Sequence, residues 1–182
     1  MKKYKKILIV THQYLPHVSP RTTRWKLLVD ELIANGHNVS ILTGMYPDFD
    51  TNNVEIIYFG NKNNINIVSN LREKSKQVAS GDAIKKIFYG VLKKIYRFFI
   101  NYLAWPDYSM FWLYQIYKNR NKISKDYDVI ISVSLPFSSH MAAYFINKKV
   151  KKHWIMDIGD PFSLKVDAPE NNRFLYSGLN KR

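Results

Sequence analysis

Lys6–Thr43, KILIVTHQYLPHVSPRTTRWKLLVDELIANGHNVSILT, holds a short apolar run, a loop, an amphipathic segment closed by glycine and a second apolar run. Ile7–Val10 is apolar at every position, the pattern of a strand covered on both faces. Ser19 stands where a helix needs a cap, and Pro20 where the first helical residue tolerates a missing N–H. Trp25, Leu28, Val29, Leu32 and Ile33 then share one face at helical spacing. Gly36 is expected to end the helix as a left-handed cap, with Asn38–Leu42 following as strand two. A strand–helix–strand unit of this kind opens a doubly wound sheet, whose ligands sit beyond the carboxyl ends of the strands. The loop His12–Arg24 is therefore the first place to expect chemistry.

The same alternation continues outward. Val54–Phe59 reads as strand three, Asp128–Val133 (DVIISV) as a buried strand, and Trp154–Gly159 (WIMDIG) as the last. Asn61–Ser80, rich in Asn, Lys and Ser, reads as a connection with one short helix. Ala83–Trp105 is an amphipathic helical insertion, interrupted by Pro106 and Asp107, and a further helix is predicted from Ser109 to about Lys122. Another begins after Ser138 and ends near Lys148. The expected fold is α/β, a Rossmann-like parallel sheet sandwiched by helices with right-handed crossovers. The pattern spans residues 1–162. After it, Ser163–Arg182 offers no strand and reads as a truncated connection toward a further domain.

Composition narrows the function. In 182 residues, 46% hydrophobic and 15% aromatic content suits a packed core. Lys and Arg number 28 against 14 Asp and Glu, and the resulting +14 attracts anions. Nucleic acid is not the expected partner, because the cations are scattered and no recognition helix or aromatic sheet motif accompanies them. The absence of cysteine excludes disulfides, thiolate catalysis and thiolate-ligated metals, and fits a cytoplasmic chain. Ile7–Val10 is too short for a signal-peptide core, so Lys2–Lys6 reads as a solvated lead-in.

Three blocks carry a resemblance: KILIVTHQYLP with TTRWKLLVDELIANGHNVSILTG, then DYDVIISVSLPFSSHMAAYFI, then HWIMDIGDPFS. In this order they resemble the amino-terminal half of a GT-B glycosyltransferase, of the retaining family-4 type used in bacterial surface polysaccharide synthesis. The resemblance implies a hexosyltransferase whose amino-terminal domain holds the sugar acceptor, polysaccharide or lipid-linked. It also implies that the nucleotide-sugar donor, with the paired-glutamate signature, belongs to a second domain, so that this chain has no cofactor of its own and is inactive alone. Many relatives carry Gly-Gly after strand one. Here the loop reads His17-Val18-Ser19-Pro20-Arg21, so its backbone approaches a pyrophosphate less closely.

Candidate residues cluster at strand ends. His12, Tyr14, His17, Arg21 and Arg24 precede or open a helix, where the helix dipole and two guanidiniums could hold a phosphate or a departing anion. Alternatively, the two arginines are solvated first-turn residues. Ser138, Ser139 and His140 form a second strand-to-helix turn whose free amides and hydroxyls could bind an acceptor, or whose serines simply cap a helix. Asp160, at the end of the last strand, could orient or deprotonate a sugar hydroxyl, or serve only as a turn residue before Pro161. Asp157, inside an apolar run, requires a partner. Asp160 and His12 are the catalytic candidates. Two carboxylates with His12 and His17 have no metal-ligand spacing, and no metal is expected.

In Ala83–Trp105 the apolar residues Ile84, Ile87, Phe88, Val91, Leu92, Ile95, Phe98, Phe99 and Tyr102 share one broad face. Lys86, Lys93, Lys94 and Arg97 lie opposite, too many cations for a spanning helix. Such a helix either packs its apolar face on the sheet or rests on an anionic membrane. The expected setting is the cytoplasmic, inner face of the cell membrane. The alternative is a non-catalytic module docking a membrane or partner subunit. An ordinary nucleotide-binding enzyme is disfavoured, because no G-x-G-x-x-G follows strand one.

Overall fold

The computed structural model describes residues 4–45, 54–60, 83–102, 106–134 and 136–159; within 83–102 it describes the side chains of 87–95 and 98. Five strands, β1 (Lys6–Val10), β2 (Asn38–Thr43), β3 (Glu55–Tyr58), β4 (Val129–Val133) and β5 (His153–Asp157), form one all-parallel sheet in the order β3-β2-β1-β4-β5. The helices are α1 (Pro20–Ala34), α2 (Ala83–Tyr102), α3 (Met110–Asn119, continued by a 3-10 turn at Arg120–Lys122) and α4 (Ser138–Val150). The α/β expectation of a Rossmann-like parallel sheet flanked by helices holds. Asp160, the 61–80 connection and the 163–182 segment lie outside the described residues.

β1 runs down the centre because both of its faces are apolar. It pairs β2 on one side, Leu8 opposite Ser40, and β4 on the other, Leu8 opposite Ile130. Leu8 and Val10 pack with Trp112, Leu113 and Ile116 of α3 and Ala142, Ala143 and Ile146 of α4. Ile7 and Ile9 point the other way, onto Trp25 and Val29 of α1. The period-2 alternation of a strand thus serves two separate cores.

Local rules set the ends of α1. The Ser19 hydroxyl accepts from the Thr22 N–H at 3.1 Å, and Pro20 opens the helix. At the other end Gly36 takes φ 85°, Gly36 N–H donates to the Ile33 carbonyl at 2.8 Å, and His37 N–H to that of Leu32 at 3.0 Å. This is a Schellman closure, which favours glycine at the left-handed position. One expectation needs correction: Leu28, placed on the buried face by periodicity, is 44% exposed, because α1 seats Thr22, Trp25 and Val29 instead. Of the two alternatives for α2, the described apolar side chains from Ile87 to Phe98 are exposed and not packed on the sheet.

Truncating a fully buried residue removes both apolar transfer energy and packing. Ile130→Ala is expected to lower unfolding free energy by about 2–5 kcal/mol. Leu27→Ala, at an exposed α1 position, should change it by less than about 0.5 kcal/mol. Urea titration of both variants measures the contrast.

Candidate functional site

The strand order changes direction between β1 and β4, and the carboxyl ends of such a strand pair are the usual ligand position of doubly wound sheets. His12 leaves β1 at this point. Its N–H donates to Ser139 Oγ at 3.1 Å, and its carbonyl accepts from Thr43 Oγ1–H at 3.1 Å and Gly44 N–H at 3.2 Å. The peptide is therefore pinned by β2 and α4 together. The imidazole lies edge-on to Tyr108 (centroids 5.7 Å apart) and Trp112 (5.2 Å), and Gln13 Nε2 donates to the Tyr108 hydroxyl at 2.8 Å. Gly44 makes room for the ring: a Cβ there would sit 2.6 Å from His12 Cδ2 and 2.8 Å from Trp112 Cδ1. His12 Nδ1 is buried without a hydrogen-bond partner. Burial lowers the pKa of the ring to about 4 despite the opposing pull of Asp107, so it is neutral at pH 7.

Asp107 is 3% exposed and is bound entirely by hydroxyls and amides. Oδ1 accepts from Ser109 N–H (2.9 Å), Ser109 Oγ–H (2.6 Å) and Ser138 Oγ–H (2.8 Å); Oδ2 accepts from Ser138 N–H at 2.8 Å. The next amides are used within the turn, Ser139 to the Pro136 carbonyl and His140 to that of Phe137. The start of α4, expected to offer free amides to a ligand, is instead filled by a carboxylate of the same chain. Ser138 and Ser139 are fully buried and hold Asp107 and His12 in place, so they shape the site without facing it.

His140 is likewise interior, at 3% exposed. Trp154 Nε1–H donates to Ser132 Oγ at 2.8 Å, and that oxygen lies 2.7 Å from His140 Nδ1. With one lone pair taken by Trp154, Ser132 Oγ keeps a proton and a second lone pair for His140 Nδ1, while Nε2 is buried with no hydrogen-bond partner among the described residues. Burial brings this histidine also to about 4, against a raising influence from Asp157. Tyr14, expected in the loop's binding set, is 3% exposed in the α1-side core, and burial raises its hydroxyl to about 12, with Asp30 adding to the effect.

The start of α1 is tied to the end of β5. Arg24 is ion-paired to Asp157 Oδ2, and Trp25 Nε1–H donates to the same oxygen at 2.7 Å. This supplies the partner that Asp157 required and takes up the charge of Arg24. Ser134 joins the next turn to β5, its N–H and hydroxyl both donating to the Asp157 carbonyl at 3.1 and 3.2 Å. His17 is exposed and Arg21 half-exposed on the α1 approach. The carboxyl ends of the strands thus bring His12, Gln13 and Tyr108 together, while Tyr14, Ser138, Ser139 and His140 are buried and Arg24 is paired to Asp157. Among the described residues no group of three or more His, Asp or Glu side chains could hold a metal ion.

Sequence reasoning missed Asp107, Tyr108, Trp112 and Gly44. Asp107 had a local signal, an acidic residue two before Ser109 at a helix break, which is a capping pattern. Its reach to Ser138, 31 residues away, had none.

Asp107→Ala leaves two buried N–H groups and two hydroxyls without an acceptor and should cost about 3 kcal/mol or more. Asp107→Asn, which keeps one acceptor oxygen, should cost less; denaturant titration and exchange of the Ser138 amide read both. The two histidines also fix an acid limit. Their pKa values, lowered from 6.5 to about 4 by folding, mean that the unfolded chain takes up protons first as pH falls through that window. Stability therefore drops between pH 6.5 and 4, by roughly 3 kcal/mol per ring at most. In a pH series of urea midpoints, His140→Gln should flatten that decline.

No protein-family model matches the chain, and no curated protein matches it either.

Proposed function

We propose that this chain is the acceptor-binding half of a GT-B glycosyltransferase, handling a lipid-linked or polysaccharide acceptor at the cytoplasmic face of a membrane. The observation that carries this reading is the grouping of His12, Gln13 and Tyr108 at the carboxyl ends of β1 and β4, where the strand order changes direction. The order of the three sequence blocks supports it as well. Among the described residues no helix is long and apolar enough to cross a membrane, so a membrane-side enzyme would meet its lipid acceptor from the surface.

The reading assigns roles by chemistry. A neutral imidazole with a pKa near 4 is a poor proton sink at pH 7. His12 is therefore an orienting group for an acceptor hydroxyl, and deprotonation falls to Asp160, which lies outside the described residues. Arg21 and the amino end of α1 offer positive potential to a phosphate on the acceptor or to a departing nucleotide. The donor sugar would be held by a partner domain of the same fold type.

Binding of a short-chain prenyl-diphosphate sugar tests the reading directly, with tryptophan fluorescence as the readout, because Trp112 touches His12. The expected result is saturable quenching, weakened about tenfold by Arg21→Ala and by His12→Ala. No saturable response in the unaltered chain would end the proposal. An equal response to a free nucleotide would favour an ordinary nucleotide-binding domain.

A further inference from the structure

α2 turns its apolar side to the outside. Ile87 is 67% exposed, Phe88 61%, Val91 49%, Leu92 38% and Ile95 59%. At about 100° per residue these five fill one arc about 140° wide. Ala83–Tyr102 also carries five Lys or Arg and no Asp or Glu. An isolated exposed leucine needs no explanation, but a continuous arc of this kind marks an interaction surface.

Charge and shape together select the occupant. A second copy of α2 would bring five cations against five, so self-association through this arc is opposed. The convex arc offers no groove for a peptide. An anionic lipid surface meets both demands at once, accepting the apolar arc and attracting the cations. The cations are not equivalent on the projection, and Lys94 does not lie opposite the apolar face as first expected. Lys93 sits on the far side of the helix, whereas positions 94 and 85 lie about 20° outside the two ends of the arc. Rim positions let a lysine extend to the headgroup layer while its stem follows the apolar side.

We propose that α2 lies flat on an anionic bilayer with Ile87, Phe88, Val91, Leu92 and Ile95 inserted, and that Lys94, in preference to Lys93, meets the lipid phosphates. This deepens the membrane-side placement proposed above and rests on α2 alone, so the sugar titration and the vesicle assay fail independently.

Vesicle co-sedimentation of the full chain provides the test, with phosphatidylglycerol/phosphatidylcholine vesicles compared against pure phosphatidylcholine. The chain is expected on the anionic vesicles only. The double change Phe88→Glu and Ile95→Glu should weaken binding more than tenfold, with the heat-unfolding midpoint unchanged because both positions are exposed. Lys94→Gln should weaken it about fivefold and Lys93→Gln less than twofold. Binding that survives the two glutamates, or sedimentation velocity showing a dimer that they disperse, would overturn insertion. Equal losses from Lys94→Gln and Lys93→Gln would overturn the assignment of the rim.

Discussion

The Asp107 carboxylate is taken out of water, and among the described residues no basic side chain bonds to it. Its compensation comes from two amides and two hydroxyls at the starts of two helices. A buried acid in that position is stabilised by the amide dipoles at each helix start, and each helix in turn gains a satisfied first turn. Because α4 is anchored this way, its Ser139 hydroxyl reaches the His12 amide. Because α3 is anchored by the same group, Tyr108 and Trp112 close on the His12 ring. The His12 site thus takes its form from one buried carboxylate.

That arrangement alters how the site handles charge. The open helix start that a doubly wound sheet commonly presents to a phosphate is filled at α4 by the chain's own anion. Arg24 is drawn off to Asp157, and the His12 imidazole stays neutral. Under the proposed acceptor reading, the uncharged, aromatic grouping of His12, Tyr108 and Trp112 meets the sugar.

Much of the fold was legible because its signals are local. Ser19-Pro20, Gly36 and the apolar runs of β1, β2 and β4 each specify their element within a few residues, and the structure follows them closely. The errors share a cause. Tyr14 stands among the loop candidates by position alone, yet its ring has the apolar area to join the core. Leu28 met the helical period, but the tilt of α1 on the sheet decides which members of a broad stripe touch it. Ser138 and Ser139 were legible as helix-start residues; that their groups face Asp107 and His12 depends on contacts over 31 and 127 residues of chain. For α2, periodicity showed that one side is apolar and could not show what lies against it.

The position of β1 has a further consequence. It alone joins the β2–β3 pair to the β4–β5 pair, so the sheet is two wings meeting along a single pair of ladders. Anything seated at the carboxyl ends of β1 and β4 grips both wings at once, and its binding free energy resists their separation. Thermodynamic linkage then makes occupancy of the site a global property: a bound ligand raises the melting temperature of the whole sheet, including strands it never touches.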